Sequence, residues 1–246
     1  MRTEPWSPCS GPCPQGNPET SAQEQDLLTS LKDCLKDLLT VVCCPLCGQT
    51  IEDRHPREAF CPECRQHLSL PSRGLQGIHP CRWTAAGWYE GNLRNLILQL
   101  RRYPDLRLLR AVSDGIGAAL PEHAVLVPIP GWKAGARSNP LPTMICRSLQ
   151  QTTQSLLKRS RPTIGQHHLN RQQRLTNQRG SFVVESGISV AAGVQNPGER
   201  QVELWLVDDI LTSGATARAA MDALMGQGIL VSGVICLGRT PMRRTR

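Results

Sequence analysis

Apolar and polar residues follow two different periods along the chain, and these periods separate strands from helices. Short apolar runs without helical spacing, such as residues 203–207, are typical of buried parallel strands. Longer segments with apolar residues three and four positions apart are typical of amphipathic helices. The pattern predicts helices over residues 26–42, 91–102, 106–120, 138–158 and 215–227. It predicts strands over residues 83–89, 124–128, 181–184, 203–207 and 229–237.

The predicted strands and helices alternate from residue 83 onward, which indicates an α/β domain with a mainly parallel sheet over residues 81–241. Residues 1–25 are rich in Pro, Ser and Gly and poor in apolar side chains, so we expect a disordered head. Residues 26–72 are expected to form an amphipathic helix followed by a cysteine-rich module. Turn residues at 71–74 and 77–80 predict a linker between this module and the α/β domain.

Two Cys-x-x-Cys pairs predict a metal site in the module. Cys44 and Cys47 form the first pair, Cys61 and Cys64 form the second, and thirteen residues separate them. Four thiolates at this spacing fit a tetrahedral Cys₄ zinc ribbon. A disulfide framework would need a secreted chain, and a thioredoxin-type pair would need one motif beside a βαβ unit. We expect structural Zn²⁺ in a reducing cytoplasm, with Cys43 as an alternative to Cys44 in the first pair.

A second candidate site lies in residues 204–216, which read Leu-Trp-Leu-Val-Asp-Asp-Ile-Leu-Thr-Ser-Gly-Ala-Thr. The two acids follow a predicted buried strand, at the edge of a parallel sheet where ligands bind. Adjacent carboxylates there accept hydrogen bonds from a ribose diol, directly or through Mg²⁺. The hydroxyls, the glycine and the first amides of the next helix suit a monophosphate. The candidate residues are Asp208, Asp209, Leu211, Thr212, Ser213, Gly214, Ala215 and Thr216.

An isolated Asp-Asp pair would be explained equally well by a strand-end turn followed by an ordinary helix cap. The complete ordered string favours the ligand site instead, because every position has a residue type that suits it. This string resembles the phosphoribosyl pyrophosphate (PRPP) signature of type I phosphoribosyltransferases. The sequence contains no Gly-x-x-x-x-Gly-Lys-Ser/Thr loop, which argues against an ATP-driven motor.

Charge is concentrated in one part of the chain. No acidic residue occurs between Glu122 and Glu185, whereas basic residues are frequent there. This field favours pyrophosphate, nucleic acid or both as a partner, and a solvated basic face without a specific ligand is the alternative. Trp132 is the only aromatic residue of this stretch before Phe182, so direct contact with DNA is expected to rely on phosphates rather than on base stacking.

A wider set of motifs, from residue 44 to residue 241, resembles the ComF family. Besides the cysteine pairs and the PRPP string, the matching residues are Tyr89, Gly91, Leu93, Arg94, Ile97, Leu100, Val127, Pro128, Ile129, Pro130, Gln166, Arg174, Asn177 and Phe182. The resemblance implies a zinc ribbon joined to a type I phosphoribosyltransferase-like domain. It also implies a role in DNA uptake during natural transformation, with single-stranded DNA and a competence helicase as partners.

The resemblance assigns further roles to individual positions. The loop from Val127 to Gly131 would face pyrophosphate, and residues 166–179 would form a flap that closes over PRPP. Asp208, Asp209 and Arg174 would carry catalysis, in which a nitrogen nucleophile is joined to C1 of the ribose. The expected pyrophosphate and flap residues are Lys133, Arg137, Gln166, Arg174 and Asn177. The chain departs from the family in reading Arg-Ser-Asn-Pro at 137–140, where members have Arg-Gly-Phe-Asn-Gln.

Three classes of function follow from these observations. The first is an active phosphoribosyltransferase of the purine or amido type in nucleotide metabolism. The second is a DNA-uptake accessory protein that retains a site for PRPP or a nucleotide with Mg²⁺, and the third is a PRPP-responsive regulator without turnover. We expect a cytoplasmic protein without membrane insertion. The acceptor substrate and the oligomeric state do not follow from the sequence.

Overall fold

A mainly parallel β-sheet with helices on both faces is the centre of the fold. The computed structural model describes residues 42–51, 60–131, 138–160, 180–185 and 202–241, and those from Cys43 onward belong to one compact unit. The described sheet strands are β1 (Leu75–Gly77), β2 (Trp83–Trp88), β3 (Ala124–Pro128), β4 (Thr152–Thr153), β7 (Glu203–Val207), β8 (Ile210–Leu211) and β9 (Gly233–Arg239). A separate antiparallel pair consists of β5 (Leu157–Arg159) and β6 (Phe182–Val184). The described helices are α1 (Pro62–His67), α2 (Gly91–Arg102), α3 (Leu106–Gly117), α4 (Leu141–Leu149) and α5 (Ala215–Met225).

Strand β7 occupies the middle of this sheet. The strand order is β1-β2-β9-β7-β3-β4, and the short β8 also pairs with β9. Strand β1 is antiparallel to β2, whereas the other pairs in the sheet are parallel. Because β3 and β7 are parallel neighbours in register from Ala124 to Pro128, the segments that follow them leave the sheet at the same edge. This arrangement confirms the predicted α/β class.

The side chains of β7 alternate between two hydrophobic clusters, one on each face of the sheet. Trp205 and Val207 pack in the cluster that contains the apolar faces of α2, α3 and α4. Leu204 and Leu206 pack in the second cluster, together with α5. Burial on both faces explains why this strand is a continuous apolar run rather than an alternating one.

The cysteine module packs against the helical layer and shares its hydrophobic cluster. Phe60 and Leu68 lie in the same cluster as Leu93 and Leu96 of α2. The side-chain amide of Asn92, in the first turn of α2, donates a hydrogen bond of 3.1 Å to the carbonyl oxygen of His67. The module is therefore held to the rest of the structure by apolar packing as well as by chain connectivity.

Most predicted elements agree with the structure, and the differences lie in their ends and in one long predicted helix. The bounds predicted for the helix at 91–102 and for the strands at 124–128 and 203–207 are confirmed. The helices predicted at 106–120 and 215–227 end two to three residues earlier, and the strands at 83–89 and 181–184 each lose one residue. Strand β9 spans Gly233–Arg239 rather than 229–237. The predicted disordered head at 1–25 and the predicted helix at 26–42, apart from Val42, lie outside the described residues.

The prediction of one helix over residues 138–158 was wrong. Helix α4 ends at Leu149, and the next residue, Gln150, has the left-handed conformation with φ of 55°. Strand β4 follows and pairs in parallel with β3, and strand β5 pairs with β6. Sheet pairing overrode the helical spacing here, because the apolar residues Leu156 and Leu157 are buried in the cluster on the opposite face from α4. The predicted linker similarly contains an unpredicted strand, β1.

Candidate functional site

The four cysteines of the two pairs converge on one point. The Sγ atoms of Cys44, Cys47, Cys61 and Cys64 all lie within 4.8 Å of one another, and those of Cys47 and Cys61 are 3.7 Å apart. A tetrahedral zinc ion with Zn–S bonds of about 2.3 Å separates its sulfurs by about 3.8 Å, so this cluster has the size that the ion requires. Four cysteines so close together could bind a metal such as zinc. Cys44 rather than Cys43 contributes the first sulfur to this cluster.

Local backbone geometry explains why the pairs converge. In the first pair, Gly48 adopts a φ of 78°, and its amide donates to the carbonyl oxygen of Cys44. This tight turn is easy for glycine and strained for other residues. In the second pair, Cys61 caps the N-terminus of α1, and the amide of Cys64 donates to its sulfur at 3.4 Å. Each pair thus directs both of its sulfurs to one side of a short turn.

The electrostatics of the sulfurs favour a bound cation. Burial raises the pKa of the Cys61 and Cys64 thiols, and neighbouring sulfurs raise that of Cys64 further. Burial also acts on Cys44, but backbone hydrogen bonds from Cys61, Cys47 and Leu46 outweigh it and lower the pKa to about 6. In the described residues no Lys or Arg side chain donates a hydrogen bond to the four sulfurs. Among the described residues, therefore, no basic side chain balances the charge of the ionised thiols, and a bound cation would do so.

The second candidate site lies at the carboxyl end of β7. The backbone amide of Asp208 donates to Ile235 of β9, and the carbonyl oxygen of Asp209 accepts from the amides of Leu237 and Gly238. Both acids are thus fixed to the neighbouring strand before any ligand is present. The chain then turns through β8 and a loop at 212–214 into α5. This is the strand-to-helix connection that the sequence predicted.

The two acids have different surroundings. Asp209 is buried, with 2% of its surface exposed, and its carboxylate forms a bidentate contact with Arg101 at 2.5 Å and 2.9 Å. The side-chain amide of Asn139 donates a third hydrogen bond of 2.7 Å. Burial disfavours the charged guanidinium of Arg101, but its contact with Asp209 outweighs this effect and raises its pKa. The carboxylate oxygens of Asp209 are therefore hydrogen-bonded by protein groups in this structure.

Among the described residues, no basic side chain donates a hydrogen bond to Asp208. It is half-buried, and its Oδ1 accepts a hydrogen bond of 2.9 Å from the amide of Asp209. Burial raises its pKa to about 7, and repulsion from Asp209 adds to the increase, while the Asp209 amide and Arg101 oppose it. Near neutral pH, Asp208 is therefore present in both its protonated and its ionised form. A ligand that stabilises the ionised form binds more tightly as pH rises through this range.

The loop before α5 is held in place by two close contacts. Gly214 has a φ of 75°, and a Cβ placed there would lie 2.2 Å from Cγ of Pro80. The buried guanidinium of Arg239 donates to the carbonyl oxygens of Leu211 and Thr212, at 2.8 Å and 2.5 Å. Burial lowers the pKa of Arg239. These contacts fix the position of the loop while leaving the Thr212 side chain exposed.

Glycine at the N-cap of α5 matters for the amides of the first helical turn. Gly214 has no side chain with which to cap the helix, and the Oγ of Ser213 reaches the Ala215 amide only at 3.4 Å. The positive end of the helix dipole therefore lies beside the loop at 212–214. Among the predicted site residues, Leu211, Gly214 and Ala215 are buried, Ser213 and Thr216 are half-buried, and Thr212 is exposed.

Three site arginines and one asparagine were not predicted from the sequence. Arg101 and Asn139 hold Asp209, Arg239 holds the loop, and Arg159 donates to the Pro130 carbonyl oxygen at 3.2 Å while lying over the ring of Phe182. Asn139 lies in the loop that was compared with the family motif, and Arg159 lies in the acid-free stretch, but neither was assigned a role. No local motif marks Arg101 or Arg239, because each reaches the site only through the fold.

Several predicted site residues lie outside the described residues, and their placement stays a prediction. They are Lys133, Arg137, Gln166, Arg174 and Asn177, together with the flap at 166–179. Among the basic residues of the acid-free stretch, Arg147, Lys158 and Arg159 are described, and Lys158 pairs with Glu185. The part of the loop after β3 that is described includes Asn139, which connects it to the acid pair.

In the part of the chain that the structure describes, no helix is long and apolar enough to cross a membrane.

Comparison with known proteins gives a moderate similarity to two bacterial proteins that share a name. No protein-family model matches the sequence. The chain is 27% identical over 207 residues to the DNA utilization protein YhgH of Escherichia coli K12, covering 74% of this chain and 85% of that protein. It is 25% identical over 221 residues to the DNA utilization protein YhgH of Salmonella typhimurium, covering 80% of this chain and 90% of that protein.

Proposed function

We propose that this protein is a ComF-type protein that binds PRPP or a nucleotide with Mg²⁺ at the β7–α5 junction and acts in the uptake and use of DNA. The observation that carries the ligand site is the position of Asp208. Its half-buried carboxyl group lies at the carboxyl end of the central strand, immediately before a glycine-capped helix. Ligands of open parallel sheets bind at this edge.

Different residues of the junction bind different parts of the proposed ligand. Asp208 accepts hydrogen bonds from the ribose hydroxyls, while Asp209, held by Arg101, positions the strand end rather than touching the sugar. The Thr212 and Ser213 hydroxyls and the first amides of α5 bind the 5′-phosphate. Mg²⁺, when bound with PRPP, neutralises pyrophosphate charge. Each of these contacts uses a group that the fold already holds in place.

The role in DNA use draws on the relatives. Two proteins of similar length are named for DNA utilization, and the similarity extends over most of both chains. We propose structural Zn²⁺ for the cysteine cluster, supported by the sulfur separations and by the raised thiol pKa values of Cys61 and Cys64. An accessory protein of DNA uptake that retains a ligand site accounts for both features.

Calorimetry on the full-length protein tests the ligand site. Wild-type protein is titrated with PRPP in the presence of Mg²⁺ and, separately, with a nucleoside monophosphate. Asp208→Asn is expected to lower the affinity by about tenfold to a hundredfold, because a hydrogen bond to a charged group is lost. Asp222→Asn is the matched control, since Asp222 is an exposed acid on α5, the helix that follows the junction. Unchanged affinity in Asp208→Asn would contradict the assignment.

The same preparation separates binding from turnover. Pyrophosphate release is measured after a nitrogen nucleophile such as ammonia or a purine base is added. Sustained release would favour the alternative, an active phosphoribosyltransferase in nucleotide metabolism. In a naturally transformable host, reduced DNA uptake in Asp208→Asn together with unchanged uptake in Asp222→Asn would support the role of the ligand site in DNA use.

A further inference from the structure

A basic corner with one exposed aromatic ring joins α2 to α3. It consists of Arg102, Tyr103, Arg107 and Arg110, and we refer to it as the α2–α3 corner. The three arginines are exposed, and 75% of the Tyr103 surface is accessible. The Tyr103 amide donates to the carbonyl oxygen of Gln99 at 2.8 Å, so the backbone is anchored to the last turn of α2 while the ring extends into solvent.

Core packing does not explain these side chains. Helix α2 buries Leu93, Leu96, Ile97 and Leu100, and the four corner residues lie away from those positions. Arg107 and Arg110 are three residues apart on α3 and therefore share one face of that helix. None of the three arginines forms an ion pair with another described residue. The acid between them, Asp105, accepts hydrogen bonds from the amides of Arg107 and Leu108 and so serves as the N-cap of α3.

This combination of groups fits a particular partner. Guanidinium groups bind phosphates, and an accessible tyrosine ring binds the face of a base. A duplex presents its phosphates but keeps its base faces stacked inside, whereas a single strand presents both. The corner also adjoins the ligand site, because Arg101, the residue before Arg102, holds Asp209.

We propose that the α2–α3 corner binds single-stranded DNA, with Tyr103 stacking on a base and Arg102, Arg107 and Arg110 contacting phosphates. The proposal deepens the DNA-related part of the proposed function and rests on that part. It does not depend on PRPP binding at the β7–α5 junction. It also differs from the sequence expectation, which placed contact with DNA in the acid-free stretch and without base stacking.

Fluorescence anisotropy with labelled oligothymidine tests the ring. The full-length protein is titrated against a strand of about 20 nucleotides, longer than common single-strand site sizes. Tyr103→Ala is expected to weaken binding by about tenfold, and Tyr103→Phe is expected to restore it to within about twofold, because stacking needs the ring and not the hydroxyl. Leu230→Ala is the control, since Leu230 is 78% exposed and lies outside the corner.

The salt dependence of binding tests the arginines. Between about 50 mM and 200 mM salt, each phosphate contact contributes roughly 0.7 to the slope of log affinity against log salt for a single strand. Replacing Arg102, Arg107 and Arg110 by Gln is expected to reduce that slope by about 2. Arg73→Gln, at an exposed position outside the corner and outside the acid-free stretch, is the control for the loss of one surface charge. Unfolding temperature and metal content are measured for every variant, so that only folded proteins are compared.

Each outcome of these experiments decides for or against the proposal. Weaker oligothymidine binding with unchanged PRPP binding in Tyr103→Ala supports it. Unchanged oligothymidine binding in Tyr103→Ala or in the triple variant overturns it. Tighter binding of a duplex of equal length overturns it too. If Tyr103→Ala weakens only the binding of a nucleoside monophosphate, the ring belongs to the ligand site and the corner is not a DNA surface. If wild-type protein binds oligothymidine but not PRPP, the proposed ligand site fails while the corner stands.

Discussion

The cysteine cluster and the acid pair both bring negative charges close together, but they differ in the groups that balance those charges. Each brings several potentially anionic groups together in a partly buried place. At the acid pair the chain supplies its own cation, because Arg101 forms a bidentate contact with Asp209. At the cysteine cluster no described basic side chain donates a hydrogen bond to the sulfurs. The acid pair is therefore organised without a ligand, whereas the described residues leave charge balance at the cysteines to the metal that we propose there.

This difference agrees with the roles that we propose for the two sites, a structural metal site and a ligand-binding site. A cysteine cluster without a described internal cation is expected to gain most of its stability from the proposed metal and to lose its local structure when the metal is removed. An acid pair in which one acid is neutralised internally is expected to keep its geometry and to leave the other acid for the proposed ligand. Asp208, with its pKa raised to about 7, is the acid that remains. The predictions below test this contrast in order of expected effect.

Loss of metal is expected to have the largest effect. Cys64→Ser removes one of the four sulfurs, and zinc contributes on the order of 10 kcal/mol to the folding of such small modules. We expect elemental analysis to find one zinc per wild-type chain and much less in this variant, with a lower unfolding temperature. Cys43→Ser is the matched control, because its sulfur lies outside the cluster. Full metal retention in Cys64→Ser would show that the cluster is not a zinc site.

Removal of the internal cation is expected to have the next largest effect. Arg101→Gln leaves the buried Asp209 carboxylate with only the hydrogen bond from Asn139, and we expect a loss of about 3 kcal/mol in the free energy of unfolding. Arg102→Gln, one position along and exposed, is expected to change it by less than about 0.5 kcal/mol. Urea unfolding measures both. Adding Asp209→Asn to Arg101→Gln should recover part of the loss, and strict additivity would argue against the contact.

Two glycines with the same backbone angle test how firmly the loop beside the acid pair is fixed. Gly214 and Gly228 both have a φ of 75°, but a Cβ would collide with Pro80 only at Gly214. Gly228→Ala is expected to cost about 1 kcal/mol for backbone strain. Gly214→Ala is expected to cost roughly 2 to 3 kcal/mol and to weaken PRPP binding as well. Equal losses of stability would mean that the contact with Pro80 does not constrain the loop.

The pH dependence of stability tests the acid that has no internal cation. Between the ordinary pKa of 3.8 and about 7, folded Asp208 holds a proton that the unfolded chain has released. The free energy of unfolding therefore falls as pH rises through this interval. Asp208→Asn removes that decline and is expected to be similar to wild type near pH 4 and more stable near pH 8. The full shift corresponds to about 4 kcal/mol, and solvent screening of this half-buried group reduces the expected difference to roughly 1 to 2 kcal/mol. A constant difference between the two proteins across this range would contradict the raised pKa.

The sequence predicted the parts of the fold that depend on local pattern. Strand β7 was predictable because burial on both faces leaves a continuous apolar run, and the bounds of α2 followed from its apolar spacing. The cysteine cluster was predictable in the same way, since the spacing within each pair is itself the geometric requirement. In these cases the information lies within a few consecutive residues.

The unequal roles of the two acids could not be predicted. Asp208 and Asp209 are identical and adjacent, and only the tertiary contacts from Arg101 and Asn139 distinguish them. Those partners lie 108 and 70 positions earlier in the chain. The helix predicted at 138–158 failed for a related reason, because pairing of β4 with β3 is a long-range interaction that outweighed local helical spacing.

Helix α2 contacts both the cysteine module and the acid pair. Its first turn is tied to the cysteine module through Asn92, and its last turn carries Arg101, nine residues and about 14 Å further along the axis. A helix is stiff over this length, so a displacement of its first turn reaches its last. If the proposed metal shifts α2 when it binds, it would change the free energy of the Arg101 contact, and thermodynamic reciprocity would then require the proposed ligand to change metal affinity by the same factor. Metal occupancy of the cysteine cluster would then be measurable as a change in ligand affinity at the acid pair.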